Sequence, residues 1–305
     1  RTVRHWHDLP AVPIDAFKDL TLSCCPADRA ERVFMTSGTT QGGVRGKSYH
    51  PNLDVYDASM KRNFARRFMG ETGSMSMGVL FPDEDAMPNS SLAHYLALAL
   101  DEFGDEGQNL FDGMALDLAR ALAALASAQD SGRPYALLGA SFSFVHLMDE
   151  MARQGRRFSL PPGSRLLDTG GFKGQSRELE LDEFYDGLTE AFGVPRDRCI
   201  NMYGMTELST QFYDNGNSVC PSVKSGPHWI RTRAVDPLTG RGVAAGETGI
   251  LVHYDLAHFN IACAILTEDA GVETDEGFLL LGRADGAEAK GCSIVVEEFR
   301  KAAGR

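Results

Sequence analysis

No run of apolar residues in this 305-residue chain approaches the length that spans a bilayer. The most hydrophobic stretch, MALDLARALAALASAQ from Met114, keeps Asp117 and Arg120 and predicts an amphipathic helix instead. Basic residues are scarce: 30 Lys and Arg stand against 42 Asp and Glu, for a net charge of −12. With no basic stripe to displace counterions, a nucleic-acid partner is excluded. Cysteine is limited to Cys24, Cys25, Cys199, Cys220, Cys263 and Cys292, with no metal-ligand spacing and too few to form a disulfide scaffold. Reduced thiols in the cytoplasm are the expectation. The eight histidines show no metal spacing either, nothing in these residues resembles a signal peptide, and no internal repeat or low-complexity tract is seen.

What the chain does have is apolar residues, at 43%, enough for one large or two modest domains. After a proline-spaced entry segment, residues 1–32, strand-like and helix-like stretches alternate. RVFM, MGVLFP, YALLGAS, SRLLDTGG and RCINMYG predict strands. Helices are predicted over about 52–69, 91–101, 114–129 and 142–154, and in RELELDEFYDGLTEAFG. The alternation predicts an α/β core over 33–215 with a mostly parallel sheet flanked by helices. Turn-rich runs such as DPLTG and AAGETG then predict a small β-rich subdomain over 216–282, and residues 283–305 form a tail.

Three segments carry chemistry. MTSGTTQGGVRGKSYH, residues 35–50, follows a strand; its amides and the hydroxyls of Thr36, Ser37, Thr39 and Thr40, around Gly38, can converge on an anion. Arg45 and Lys47 can neutralise phosphate charge, although the spacing is not that of a Walker loop. A solvated polar turn is the other reading. NMYGMTE, residues 201–207, places an aromatic, a hydroxyl and a carboxylate at the carboxyl end of a strand, where open α/β sheets bind ligands. Tyr203 suits a purine face, Thr206 a phosphate oxygen and Glu207 a Mg²⁺ ion. The same letters also suit a strand-to-helix turn capped by Thr206. In LTEDAGVETDEGFLLLGRADG, Asp269 and Arg283 each follow an apolar run. They suit ribose and phosphate, or simply a hairpin with surface charges.

The order TSGTT, YGMTE, an Asp-bearing turn and GRADG resembles the adenylate-forming superfamily of acyl-CoA synthetases, peptide-synthetase adenylation domains and luciferases. The resemblance implies that Thr36, Ser37, Gly38, Thr39 and Thr40 hold the β- and γ-phosphates of ATP. It further implies that Tyr203 and Gly204 pack at adenine, Thr206 meets the α-phosphate and Glu207 binds Mg²⁺. Asp269 takes the ribose hydroxyls, with Arg283 beside them. Two features depart from the pattern: QGGVRG replaces the usual G-x-P-K-G, with Arg45 where Lys would sit, and little sequence precedes the loop. The C-terminal cap domain with its catalytic Lys is expected to be absent.

A compact branch is more similar: the acyl-protein synthetases of the bacterial bioluminescence fatty-acid reductase complex. Its GG-aromatic-KG segment is matched by Gly170, Gly171, Phe172, Lys173 and Gly174, and its late acyl-accepting cysteine by Cys292. The resemblance implies Lys173 as the cation at the α-phosphate, with Lys290 and Arg45 as competitors. It implies an acid pocket between about Phe81 and Gly174, where His94 can border it. The expected activity is that of a ligase using ATP and Mg²⁺ to convert a carboxylic acid to an acyl-adenylate and transfer the acyl group to a thiol, Cys292 first. Coenzyme A, a carrier protein or an amine are the alternative acceptors, and a non-catalytic nucleotide-binding subunit is the second alternative. An acyl reductase or a carrier protein is the expected partner.

Overall fold

A computed structural model of the chain describes residues 3–36, 44–172 and 176–284. Its first part runs β1 (Val12–Pro13), α1 (Ala16–Asp19), β2 (Arg32–Met35), β3 (Lys47–His50) and α2 (Asp54–Phe64). Next come β4 (Met75–Leu80), α3 (Ser91–Phe103), β5 (Gly104–Asn109), β6 (Phe111–Asp112), β7 (Ala115–Leu116) and α4 (Leu118–Ser131). Then follow β8 (Tyr135–Ala140), α5 (Ser141–Arg153), β9 (Arg165–Thr169), α6 (Leu181–Phe192), β10 (Cys199–Tyr203) and β11 (Phe212–Tyr213). The last described strands are β12 (Val223–Lys224), β13 (Ile230–Val235), β14 (Thr248–Asp255), β15 (Ala264–Thr274) and β16 (Gly277–Arg283). No helix among the described residues is long and apolar enough to cross a membrane.

These elements form two units interleaved along the chain. One takes residues 61–204 and 213–222; the other takes 1–60, 205–212 and 223–305. The sequence boundaries at 33, 216 and 283 follow changes in composition. The units instead follow strand pairing, which draws segments from both ends of the chain together.

The first unit is built on a sheet ordered β11-β10-β9-β8-β4-β5, in which β10, β9, β8, β4 and β5 pair in parallel. Every residue of β8, YALLGA, is buried, as a central parallel strand covered on both faces requires. In α6 the buried residues Phe184, Tyr185, Leu188 and Phe192 recur at helical spacing and face the core. They join Leu137, Phe144 and Leu166 there. Each such side chain contributes about 1.5–3 kcal/mol when buried. The helix expected from Met114 begins at Leu118, because the Asp117 carboxylate accepts the Arg120 N–H at 2.9 Å and caps it there.

The second unit carries an antiparallel sheet ordered β12-β16-β15-β14-β13. The entry segment supplies β1, which lies parallel to the first part of β15 with Val12 opposite Ile265. The later part of β15, Asp269 to Thr274, pairs with β16. The DPLTG turn closes through Asp236, whose carboxylate accepts the N–H groups of Leu238 at 2.8 Å and Thr239 at 2.9 Å. A separate hairpin, β2 with β3, sets Met35 opposite Lys47 at the base of the TSGTT loop.

Candidate functional site

Within the second unit the loop base, the YGMTE carboxylate and the Asp–Arg hairpin converge. Thr36 follows β2 and closes the hairpin at both of its polar groups. Its N–H donates to the Gly46 carbonyl at 3.0 Å, and its hydroxyl accepts the Gly46 N–H at 2.9 Å. Gly46 is buried between Thr36, Phe17 of α1 and Glu207. A Cβ placed on it would lie 3.3 Å from Thr36 Cγ2 and 3.5 Å from both Glu207 Oε1 and Phe17 Cβ. Arg45 and Lys47 on either side are exposed.

Glu207 is 6% exposed. Burial raises its pKa from the ordinary carboxylate range to about 7; a bond from its own backbone and the charges of Arg283 and Lys18 oppose that rise, while Asp269 adds to it. The segment that carries it is a turn, with the Leu208 N–H on the Met205 carbonyl at 3.2 Å. No helix follows Thr206 among the described residues, so Thr206 is not a helix cap.

Asp269 and Arg283 sit opposite one another in the β15–β16 ladder. Arg283 Nε is 3.2 Å from Asp269 Oδ1, and its Nη1 donates to Glu268 at 2.8 Å. The hairpin and the Asp–Arg pair read from the sequence are thus one object. Sequence reasoning missed Lys18, Asp15 and Glu268. Lys18 pairs with Asp15 at 2.6 Å, and burial, then Asp15, raise the Glu268 pKa, against Arg283 and Lys18. Nothing local marks α1 as part of a site; only the β1–β15 pairing brings it there.

The residues present fit a magnesium–nucleotide complex. A buried carboxylate stands beside a glycine whose added Cβ would crowd Thr36 and touch the carboxylate oxygen. Among the described residues no group of three or more His, Cys, Asp or Glu is placed to hold a metal alone. One carboxylate, completed by phosphate oxygens and water, is the coordination Mg²⁺ favours at nucleotides.

The other unit holds the remaining described candidates at the carboxyl ends of its parallel strands. Asp168 and Thr169 end β9, followed by Gly170, whose φ of 80° is open to glycine at little strain, and by exposed Gly171. Asp168 is buried and accepts from Ser141 Oγ at 2.8 Å, Tyr185 OH at 3.1 Å and Asn201 Nδ2 at 2.8 Å. Thr169 Oγ1 donates to the Met202 carbonyl at 2.8 Å, tying β9 to β10, which ends at half-buried Tyr203 before exposed Gly204. His94 is engaged by Glu84, its Nδ1 lying 2.9 Å from Oε1. Ser37, Gly38, Thr39, Thr40, Lys173, Lys290 and Cys292 lie outside the described residues.

A family model described as acyl-protein synthetase, LuxE, matches residues 109–300, more than half of the chain. A long-chain-fatty-acid–luciferin-component ligase of Vibrio harveyi is 24% identical over 277 residues, covering 90% of this chain and 71% of that protein. Among solved structures, ATP-bound MatB from Rhodopseudomonas palustris matches with a TM-score of 0.59 at 15% identity, over 85% of this chain and 49% of that one. A 2-hydroxyisobutyryl-CoA ligase in complex with 2-HIB-AMP matches with a TM-score of 0.63 at 16% identity, over 91% and 58%. The chain therefore has the α/β fold of the adenylate-forming enzymes and spans about half the length of the solved structures it matches.

Proposed function

The chain belongs to the acyl-protein synthetase LuxE family, and from that premise we propose that it activates a carboxylic acid with ATP and passes the acyl group to a thiol. The observation that supports this most is the convergence in one unit of Thr36 and Gly46, Glu207, and the Asp269–Arg283 pair. These are the closed base of the loop whose residues 36–40 are proposed to hold phosphate, a buried carboxylate for Mg²⁺ and a carboxylate–guanidinium pair for ribose. Mg²⁺ held at Glu207 would neutralise charge building on the phosphates.

The substrate carboxylate attacks the α-phosphorus, and the bond to the β-phosphate bridging oxygen breaks, giving acyl-adenylate and pyrophosphate. Thr206 orients the α-phosphate and Asp269 accepts the ribose hydroxyls. Lys173 is assigned to the charge developing in that step. A thiolate then attacks the acyl carbonyl, and AMP leaves with the bonding electrons. Cys292 is the proposed thiol, since thiolates are nucleophilic and a thioester keeps the acyl group reactive. Lys290, two residues earlier, favours its ionised form. A long-chain fatty acid is the first acid to test, by likeness to the Vibrio harveyi ligase. The acyl-enzyme would then serve an acyl reductase.

Carboxylate-dependent ATP–pyrophosphate exchange tests the adenylation half. Exchange is expected with the wild type and lost by at least about 100-fold in Glu207→Ala, the scale on which single electrostatic stabilisers act. ATP binding without exchange for any acid in a broad panel would instead point to a nucleotide-binding subunit.

A further inference from the structure

Glu207 lies in a segment, residues 205–211, that forms neither helix nor strand. A turn of this kind cannot fix a side chain through a ladder of its own, so its hydrogen bonds must be traced elsewhere. The N–H groups of Ser209 and Thr210 lead to one side chain. Asp255, the last residue of β14, is fully buried, and each of its oxygens accepts two bonds. Oδ2 takes the N–H groups of Ser209 at 2.9 Å and Thr210 at 2.8 Å. Oδ1 takes the Thr210 hydroxyl at 2.8 Å and the Ala257 N–H at 3.0 Å.

The surroundings fix the direction of these bonds. Thr210 Oγ1 gives its only proton to Asp255, so it accepts from Ser59 Oγ at 2.9 Å and from the Trp229 indole N–H at 3.1 Å. One turn after Asp255, His258 Nδ1 meets Ser209 Oγ at 2.9 Å, and the His258 ring packs against His50 of β3. The residues just past Glu207 are thus held by the end of β14. That strand pairs with β15, which carries Asp269.

We propose that Asp255 is a positioning residue that clamps the Glu207 turn in register with the Asp269–Arg283 pair, so that the Glu207 carboxylate meets the metal of a bound nucleotide. This rests on the adenylating function proposed above. An ionised carboxylate is the side chain that can accept four donors at once. An asparagine of the same shape would set its NH₂ against two of them and release the turn.

The test uses the full chain and its Asp255→Asn variant, with a fluorescent ATP analogue titrated against Mg²⁺ and hydrogen exchange followed on peptides covering 205–212. The expected result is a folded variant in which those peptides lose protection while peptides of β8 and β9 keep it. Its half-saturating Mg²⁺ concentration should rise at least tenfold, and affinity for the metal-free analogue should stay within about twofold. Unchanged protection, or an unchanged Mg²⁺ requirement in the folded variant, overturns the proposal. Should Asp255→Asn not fold, Thr210→Val removes a single donor and is expected to shift the Mg²⁺ requirement in the same direction; no shift would overturn the proposal equally. A wild type whose analogue binding ignores Mg²⁺ sinks the functional reading itself and the positioning role with it, an outcome recognised without any variant.

Discussion

At Gly46 a single methyl group decides how closely the loop base approaches Glu207. Contacts of 3.3–3.5 Å await a Cβ on three sides, and one of them is the carboxylate oxygen itself. The Thr36 contact is the tight one, so Gly46→Ala should push Thr36 aside at a folding cost of about 1 kcal/mol. KM for ATP should rise several-fold, and an unchanged KM with unchanged melting would show that the packing of the loop base around Gly46 is loose. His253 offers a test through pH. It is buried between Phe212 and Phe278 with Nδ1 2.9 Å from Thr232 Oγ1, and burial lowers its pKa to about 3. The folded state keeps it neutral while the unfolded chain takes a proton below the ordinary value of 6.5. Its contribution to stability is complete above pH 6.5 and is lost as pH falls toward 3, by up to about 1.4 kcal/mol per pH unit. Glu207 and Asp255 work in the opposite sense. Burial raises them to about 7 and about 6, so their folded-state proton binding adds stability at low pH that is lost as pH rises. The measurement is therefore a difference: urea unfolding of wild type and His253→Asn between pH 7 and 4. Stability of the wild type should fall away relative to the variant on acidification; parallel curves would refute the neutral buried ring.

Among the elements, β4 and β8 meet with almost no spare volume. A Cβ on Gly78 would overlap the Tyr135 hydroxyl and come within 2.8 Å of Leu110 Cδ1. That hydroxyl is buried and has no hydrogen-bond partner among the described residues. Tyr135→Phe should therefore be neutral or stabilising by up to about 1 kcal/mol. Gly78→Ala should cost about 1–3 kcal/mol, and less in the Tyr135→Phe background. Additive effects in thermal unfolding of the double variant would contradict this account of the packing. The strands and helices of this sheet were legible in the sequence because burial imposes a local period: YALLGA is apolar throughout, and α6 repeats its aromatic and Leu positions at helical spacing. The Asp269–Arg283 pair was legible because GR and the Asp-bearing run bracket one hairpin. Lys18 and Asp255 were not. A lysine in a four-residue helix and an aspartate at a strand end carry no periodic signal, and their meaning comes from β1 pairing with β15 and from the turn at 209–210.

For the whole molecule, the interleaving of the two units explains why composition alone drew different boundaries. The β-rich unit collects the entry segment, the β2–β3 hairpin, the Glu207 turn and the last strands. Gly46, Lys18, Asp269 and Arg283, whose contacts or charges act on Glu207, all belong to that unit. Gly170 and Gly171 follow β9 and Tyr203 ends β10 of the parallel sheet, where strand ends place ligand-binding residues in folds of this kind. By the proposed function, this chain makes its own acyl-thioester. Intact-protein mass spectrometry after incubation with ATP, Mg²⁺ and a long-chain fatty acid tests it most directly. The expected result is one added acyl group, requiring ATP, removed by hydroxylamine and absent from Cys292→Ala, which retains pyrophosphate exchange. A wild-type chain that stays unmodified while ATP is turned over with the acid would contradict it.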